Sequence, residues 1–105
     1  MKVNLQELKN KLKSYSEKDI IITKHAELQA YVREIDIKEV KNNIKNPEKL
    51  VYYVKQGSLK ENEEKYDCYF AISKNLYHRY IIVINGKLII VTIIKINRDW
   101  QKAIG

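Results

Sequence analysis

The sequence predicts an α+β domain in which N-terminal helices pack on an antiparallel sheet of about four strands. Two observations carry this. Apolar residues recur at three-and-four spacing as far as Asn46-Pro47, and at a spacing of two beyond it. A third observation, Asn85-Gly86 set between two apolar runs, marks a hairpin in the second half. The 105 residues, 45% of them hydrophobic, fit a single domain over 1–105, enough for one core and too short for two.

Leu5, Leu8 and Leu12 recur at helical spacing between lysines, which predicts an amphipathic helix from Asn4 to about Tyr15. Ser16 to Lys18 breaks that pattern, and Asp19 to Thr23 is short and apolar enough for a strand or an extended lead-in. Thr23 is an N-cap, its hydroxyl accepting from a backbone N–H two or three residues on, so a helix begins at about Lys24 with His25 in its first turn. His25, Gln29 and Arg33 then follow at steps of four along one face, and Ala26, Leu28, Ala30 and Val32 form the apolar side. Asp36 caps a second helix carrying Ile37, Val40 and Ile44 to Asn46-Pro47, where proline disfavours the helical state of the residue before it. The joint between the two helices is tight, over Glu34 to Asp36.

Strands are expected at Leu50–Gln56, Tyr66–Ser73, Leu76–Asn85 and Lys87–Asn97, with a charged loop from Gly57 to Glu64. A two-residue type I′ turn at Asn85-Gly86 pairs Ile84 with Lys87, Ile82 with Ile89, Tyr80 with Val91 and His78 with Ile93. Both faces of this hairpin are apolar near the turn. It is therefore either covered on two sides or in contact with a second copy on one. Its polar residues gather at the far end, where Tyr77, His78, Arg79 and Lys95 lie beside Arg98 and Trp100.

Twenty Lys and Arg against 13 Asp and Glu give a formal charge of +7, a footprint suited to RNA, DNA or an acidic protein. The abundance of Lys and Ile also accords with an AT-rich genome or adaptation to heat, so the charge does not choose among partners. The single cysteine, Cys68, excludes an internal disulfide framework and a multi-cysteine zinc site. The charged N-terminus is unlike a signal peptide, and no apolar run approaches the roughly 18 residues of a membrane span, so a cytoplasmic protein is expected. Gly-rich phosphate loops, nucleophile elbows and His-Glu-x-x-His are absent, and two isolated histidines make no metal site, so neither metal nor cofactor is expected. Asp67 is expected to pair with a nearby cation, as is Asp99.

The order Thr-x-His-Ala-x-x-Gln-x-x-x-Arg-x-Ile over 23–35, then Val40, Ile44 and Asn46-Pro47, resembles the small domains related to BrnT and RelE, toxins of type II toxin–antitoxin pairs. The likeness runs from about Ile20 to Trp100, with Gln29 standing where many relatives have Arg. It implies a ribonuclease, free or ribosome-dependent, and carries over by motif the His25, Gln29 and Arg33 positions. Metal-independent cleavage needs a base for the 2′-OH, a cation on the phosphate and an acid for the leaving oxygen. His25 or His78 fits the base, Arg33, Arg79 or Lys95 the cation, and Tyr77 or Tyr80 a stacking surface or proton donor. Gln29 and Arg98 extend the RNA-binding set. An acidic antitoxin would restrain such an enzyme. Two alternatives use the same fold without catalysis: a nucleic-acid- or protein-binding module, and a self-associating homodimer. Cleavage requires His25, Arg33 and the His78 to Lys95 end to meet in one cleft, whereas self-association requires a large apolar patch.

Overall fold

A computed structural model describes residues 4–57 and 60–97. Each helix starts where a side-chain oxygen replaces a missing backbone acceptor. Helix α1, Leu5–Lys13, begins at Asn4, whose Oδ1 accepts from the Glu7 N–H at 2.8 Å, and it buries Leu8 and Leu12 completely. A 3-10 turn, Glu17–Asp19, leads into β1, Ile20–Ile22. Helix α2, Lys24–Val32, is capped by Thr23 Oγ1, which accepts from Ala26 N–H at 3.1 Å. Helix α3, Ile37–Lys45, is capped by Asp36, which accepts from Lys38 N–H at 2.9 Å, and a 3-10 turn at Pro47–Lys49 follows it.

The joint between α2 and α3 is a Schellman closure. Glu34 adopts φ 56°, and the N–H groups of Ile35 and Glu34 donate to the carbonyls of Ala30 at 2.8 Å and Tyr31 at 3.2 Å. A glutamate at this left-handed position costs on the order of 1 kcal/mol. It turns Ile35, 6% exposed, back into the core.

The strands are β2, Leu50–Gln56; β3, Glu64–Ser73; β4, Leu76–Ile84; and β5, Leu88–Asn97. They form one five-stranded sheet in the order β1-β5-β4-β3-β2. The sheet is mixed and has one strand more than expected. Segment 20–22 is a true strand, running parallel to β5 with Ile20 opposite Leu88 and Ile22 opposite Ile90, while the other pairings are antiparallel.

The expected hairpin register is also corrected. Ile84 pairs with Leu88 across a three-residue loop, and only Gly86, at φ 87°, takes positive φ. The reason is burial. This register places Ile84, Leu88, Ile82 and Ile90 on one covered face, whereas a two-residue turn would have put Lys87 there. Lys87 instead reaches Asp19 at 3.1 Å. A bulge follows, with Ile82 opposite Ile90 but Ile81 opposite Thr92, so Val91 is the extra residue and His78 faces Lys95 directly.

All three helices lie on one side of the sheet. Leu8, Leu12, Ala26, Ala30, Val40 and Ile44 meet Tyr66, Phe70, Tyr80, Ile82 and Ile93 in one core. Alternation sends Ile81, Val83, Ile89 and Ile94 to the opposite face, and none of these belongs to that core or packs against it. Among the described residues, that face has no cover.

Candidate functional site

Ala26 and Ala30 alone form the buried side of α2, because Leu28 and Val32, expected with them, are 62% and 68% exposed beside Tyr31 at 82%. Two other places among the described residues concentrate polar or exposed groups that the core does not require. The first lies where α3 crosses the start of β4. His78 and Tyr80 alternate onto the covered face, and Asn43 reaches them from α3. Asn43 Nδ2 donates to the Tyr80 hydroxyl at 3.0 Å, and that oxygen lies 2.7 Å from His78 Nδ1. The hydroxyl thus accepts from Asn43 and shares a second hydrogen bond with His78 Nδ1, whose direction follows the ring tautomer. Asn43 and His78 are each 2% exposed and Tyr80 is fully buried. Burial lowers the pKa of His78; the charges of Lys95 and Lys49 act the same way, and Glu39 opposes them. Burial also raises the Tyr80 phenol, against the Asn43 hydrogen bond. The chain is therefore a neutral one, Asn43 to Tyr80 to His78.

Above it, the end of α2 meets the end of β5. Gln29 Oε1 accepts from the Ile93 N–H at 2.9 Å, two residues past the bulged Val91, and so supplies an acceptor where the ladder is interrupted. Arg33 Nη1 approaches the Gln29 carbonyl at 3.4 Å, and Lys95 Nζ donates to the Arg33 carbonyl at 3.2 Å. Both cations thus complement the negative end of the α2 dipole. Gln29, Arg33 and Lys95 come together here, with His78 beneath.

Other expected members of the site are elsewhere. His25 is exposed in the first turn of α2, two turns or about 12 Å along the axis from Arg33. Arg79 points to the uncovered face, where its Nε and Nη2 donate to the two carboxylate oxygens of Asp67 at 2.8 and 2.6 Å and its guanidinium lies 5.5 Å from the Tyr69 ring centroid. Asp67, only 4% exposed, has the cation partner expected of it. Tyr77 shares that face. Tyr80, expected as a stacking surface, is corrected by its burial, since the ring has no side to offer a base. Arg98, Asp99 and Trp100 lie outside the described residues.

Reading the sequence by residue type missed Asn43. Its signal was its place on the buried stripe of α3 between Val40 and Ile44, where an amide requires an internal partner. Chemically, the corner offers cations without an exposed base beside them. His78 is buried, with Nδ1 occupied, and His25 is at the far end of the helix. No group of three or more His, Cys, Asp or Glu able to hold a metal ion occurs among the described residues.

The second place is the uncovered sheet face. Ile21, Tyr52 and Val54 on its flanks are 40%, 58% and 41% exposed. Tyr52 leans on Tyr69 with ring centroids 5.4 Å apart, and the Asp67–Arg79 pair sits beside them. A depression of about 370 Å³ at one end is bounded by Arg79, Ile94, Lys95, Ile96 and Asn97. No helix among the described residues is long and apolar enough to cross a membrane. No protein-family model, curated protein or solved structure matches the chain.

Proposed function

We propose that this chain is a non-catalytic protein-binding module, of RelE/BrnT-like type and cytoplasmic, that docks its partner on the uncovered sheet face. One observation carries the reading. Ile81, Val83, Ile89 and Ile94 lie together on a face that no helix among the described residues covers, whereas the opposite face of the same strands is sealed by three. Neighbouring side chains already cover part of each of the four, so a partner would gain only a fraction of the about 1.5–3 kcal/mol of full burial from each, with further area from Ile21, Tyr52 and Val54 on the flanks. A photo-reactive residue introduced at position 81, compared with one at position 41 on the helical layer, tests it in living cells. Protein adducts from 81 and none from 41 are expected. Absence of any adduct from 81 overturns the reading.

A second reading, RNA cleavage under the restraint of an acidic antitoxin, draws on the meeting of Arg33 and Lys95 over His78. Its test is cleavage of labelled RNA in EDTA, with and without ribosomes. Cleavage lost in both Arg33→Ala and Lys95→Ala would move the function to that corner; inert wild-type protein in both settings leaves the module.

A further inference from the structure

We infer that the occupant of the uncovered sheet face is a second copy of this chain, so that two sheets stack face to face about a twofold axis. The inference rests on the protein-binding reading and adds the identity of the partner.

Charge is the first ground. Strand register places Lys65, Asp67 and Arg79 on this face, and it places no other charged side chain of β3 or β4 there. Asp67 and Arg79 cancel in charge, and both carboxylate oxygens already accept from the guanidinium, so Asp67 strands no acceptor on leaving water, while the three guanidinium N–H groups not bonded to it must find acceptors at the rim or on the partner. Lys65, at the start of β3, is left at the rim. The chain carries a formal +7, and its own copy could not approach a face that displayed this charge. By the same accounting, an acidic protein or RNA finds among the described residues Lys65 at one rim and Lys95 at the depression at one end, and no cation at the centre without its own carboxylate. A partner that matches the centre of this face brings mainly apolar area.

Size is the second. Five strands spaced about 4.8 Å apart, most of them 7–10 residues long at about 3.3 Å each, span a rectangle of about 24 by 25 Å. That is about 600 Å² in projection. Side-chain relief brings it near the roughly 800 Å² per partner of a standard stable interface. Two such sheets stack about 10 Å apart, and β4 is the middle strand of the five. An axis through its centre sets Ile81 near its counterpart, and the Tyr52–Tyr69 pair supplies rigid aromatic anchors on one flank.

The test is sedimentation equilibrium of the full chain between about 1 and 100 µM, the range in which an interface of this size is populated. Wild type is expected to sediment as a dimer at the upper end. Ile81→Glu, which places two carboxylates face to face at the axis, is expected to weaken dimerisation at least about tenfold while its far-UV circular dichroism matches wild type. Ile81→Lys alone is also expected to be monomeric, and an equimolar mixture of the two variants to recover the dimer. Tyr52→Glu, at a 58% exposed position, repeats the test without touching the centre of the sheet should the first variant misfold. Wild type monomeric throughout the range, or variants that remain dimeric, overturns the inference. If wild type is monomeric but position 81 still cross-links a different protein, only the self-partner is lost. If neither occurs, the binding reading falls with it.

Discussion

Tyr80→Phe isolates the buried polar chain, because it removes one oxygen and leaves the ring in place. The hydroxyl is 3.0 Å from Asn43 Nδ2 and 2.7 Å from His78 Nδ1, and both residues are 2% exposed, so water cannot replace it. Its loss leaves Asn43 Nδ2 and His78 Nδ1 unpaired in the core. Each costs about 1–3 kcal/mol, and some relaxation towards other partners puts the sum at about 2–4 kcal/mol. No cavity contribution enters, since only an oxygen is deleted. A chain of this length has a total stability of about 5–15 kcal/mol, so the change removes a large fraction of it and lowers Tm by about 10–20 °C. The assay is equilibrium unfolding in urea followed by circular dichroism, with m unchanged so that the shift in midpoint reads as stability. In an Asn43→Ala background the same substitution should cost at least about 1 kcal/mol less, because one of the two stranded groups is already gone. A loss under about 0.5 kcal/mol, or costs that simply add, would show that the three side chains do not act as a unit.

The same chain sets a pH dependence. Burial holds the folded-state pKa of His78 below its ordinary value of 6.5, so the unfolded chain binds more protons in that range. Stability from this group is fully present above about pH 6.5 and is lost as pH falls through 6.5 towards the lower folded-state value. The slope of stability against pH over that interval, measured by urea titrations, should flatten in His78→Gln; an unchanged slope would refute the assignment. Gln29→Leu should deprive the Ile93 N–H of its acceptor at a cost of about 1–3 kcal/mol. Amide exchange at Ile93 should quicken relative to Ile82 in the adjacent strand, and equal protection at both would refute a structural role for Gln29.

Much of the fold was legible because local chemistry and global packing agree. Thr23 and Asp36 cap the helices they were expected to cap, Asn46-Pro47 ends the helical half, and all four expected strands fall within two residues of their expected limits at both ends. What escaped depended on distant partners. Ile20-Ile21-Ile22 was open to either a strand or an extended lead-in, and its parallel pairing with β5, some 68 residues away in the chain, is what makes it a strand. Asn85-Gly86 marked the hairpin but not its loop length, because burial of Ile84 against Leu88 outweighs the intrinsic preference of the turn. The bulge at Val91 has no local signal, and it moves every later residue of β5 by one place.

The site was less legible, since a one-residue slip decides which side chains meet. Lys95 faces His78 only because of the longer loop and the bulge together. That His78 and Arg79 point opposite ways follows from strand geometry alone. Which of those sides the helices would cover was not evident, because both are rich in Ile, Val and Tyr. The energetic difference lies in a few polar groups. The covered side of β3 and β4 holds Tyr66, Cys68, Phe70, Tyr80 and Ile82 with one neutral histidine and, at its rim, Glu64 paired to Lys11, whereas the other side holds Asp67 and Arg79 with Lys65 at its rim. Helices packed over the second would have to bury the Asp67–Arg79 pair at its centre, whereas over the first they bury one imidazole already bonded to Tyr80. The chain thus resolves two apolar faces by charge, and then neutralises the rejected face with an internal pair. The Asp67 carboxylate, 4% exposed and doubly bonded to its guanidinium, already has its acceptors met within the chain, so what this face asks of water falls mainly on the remaining guanidinium N–H groups.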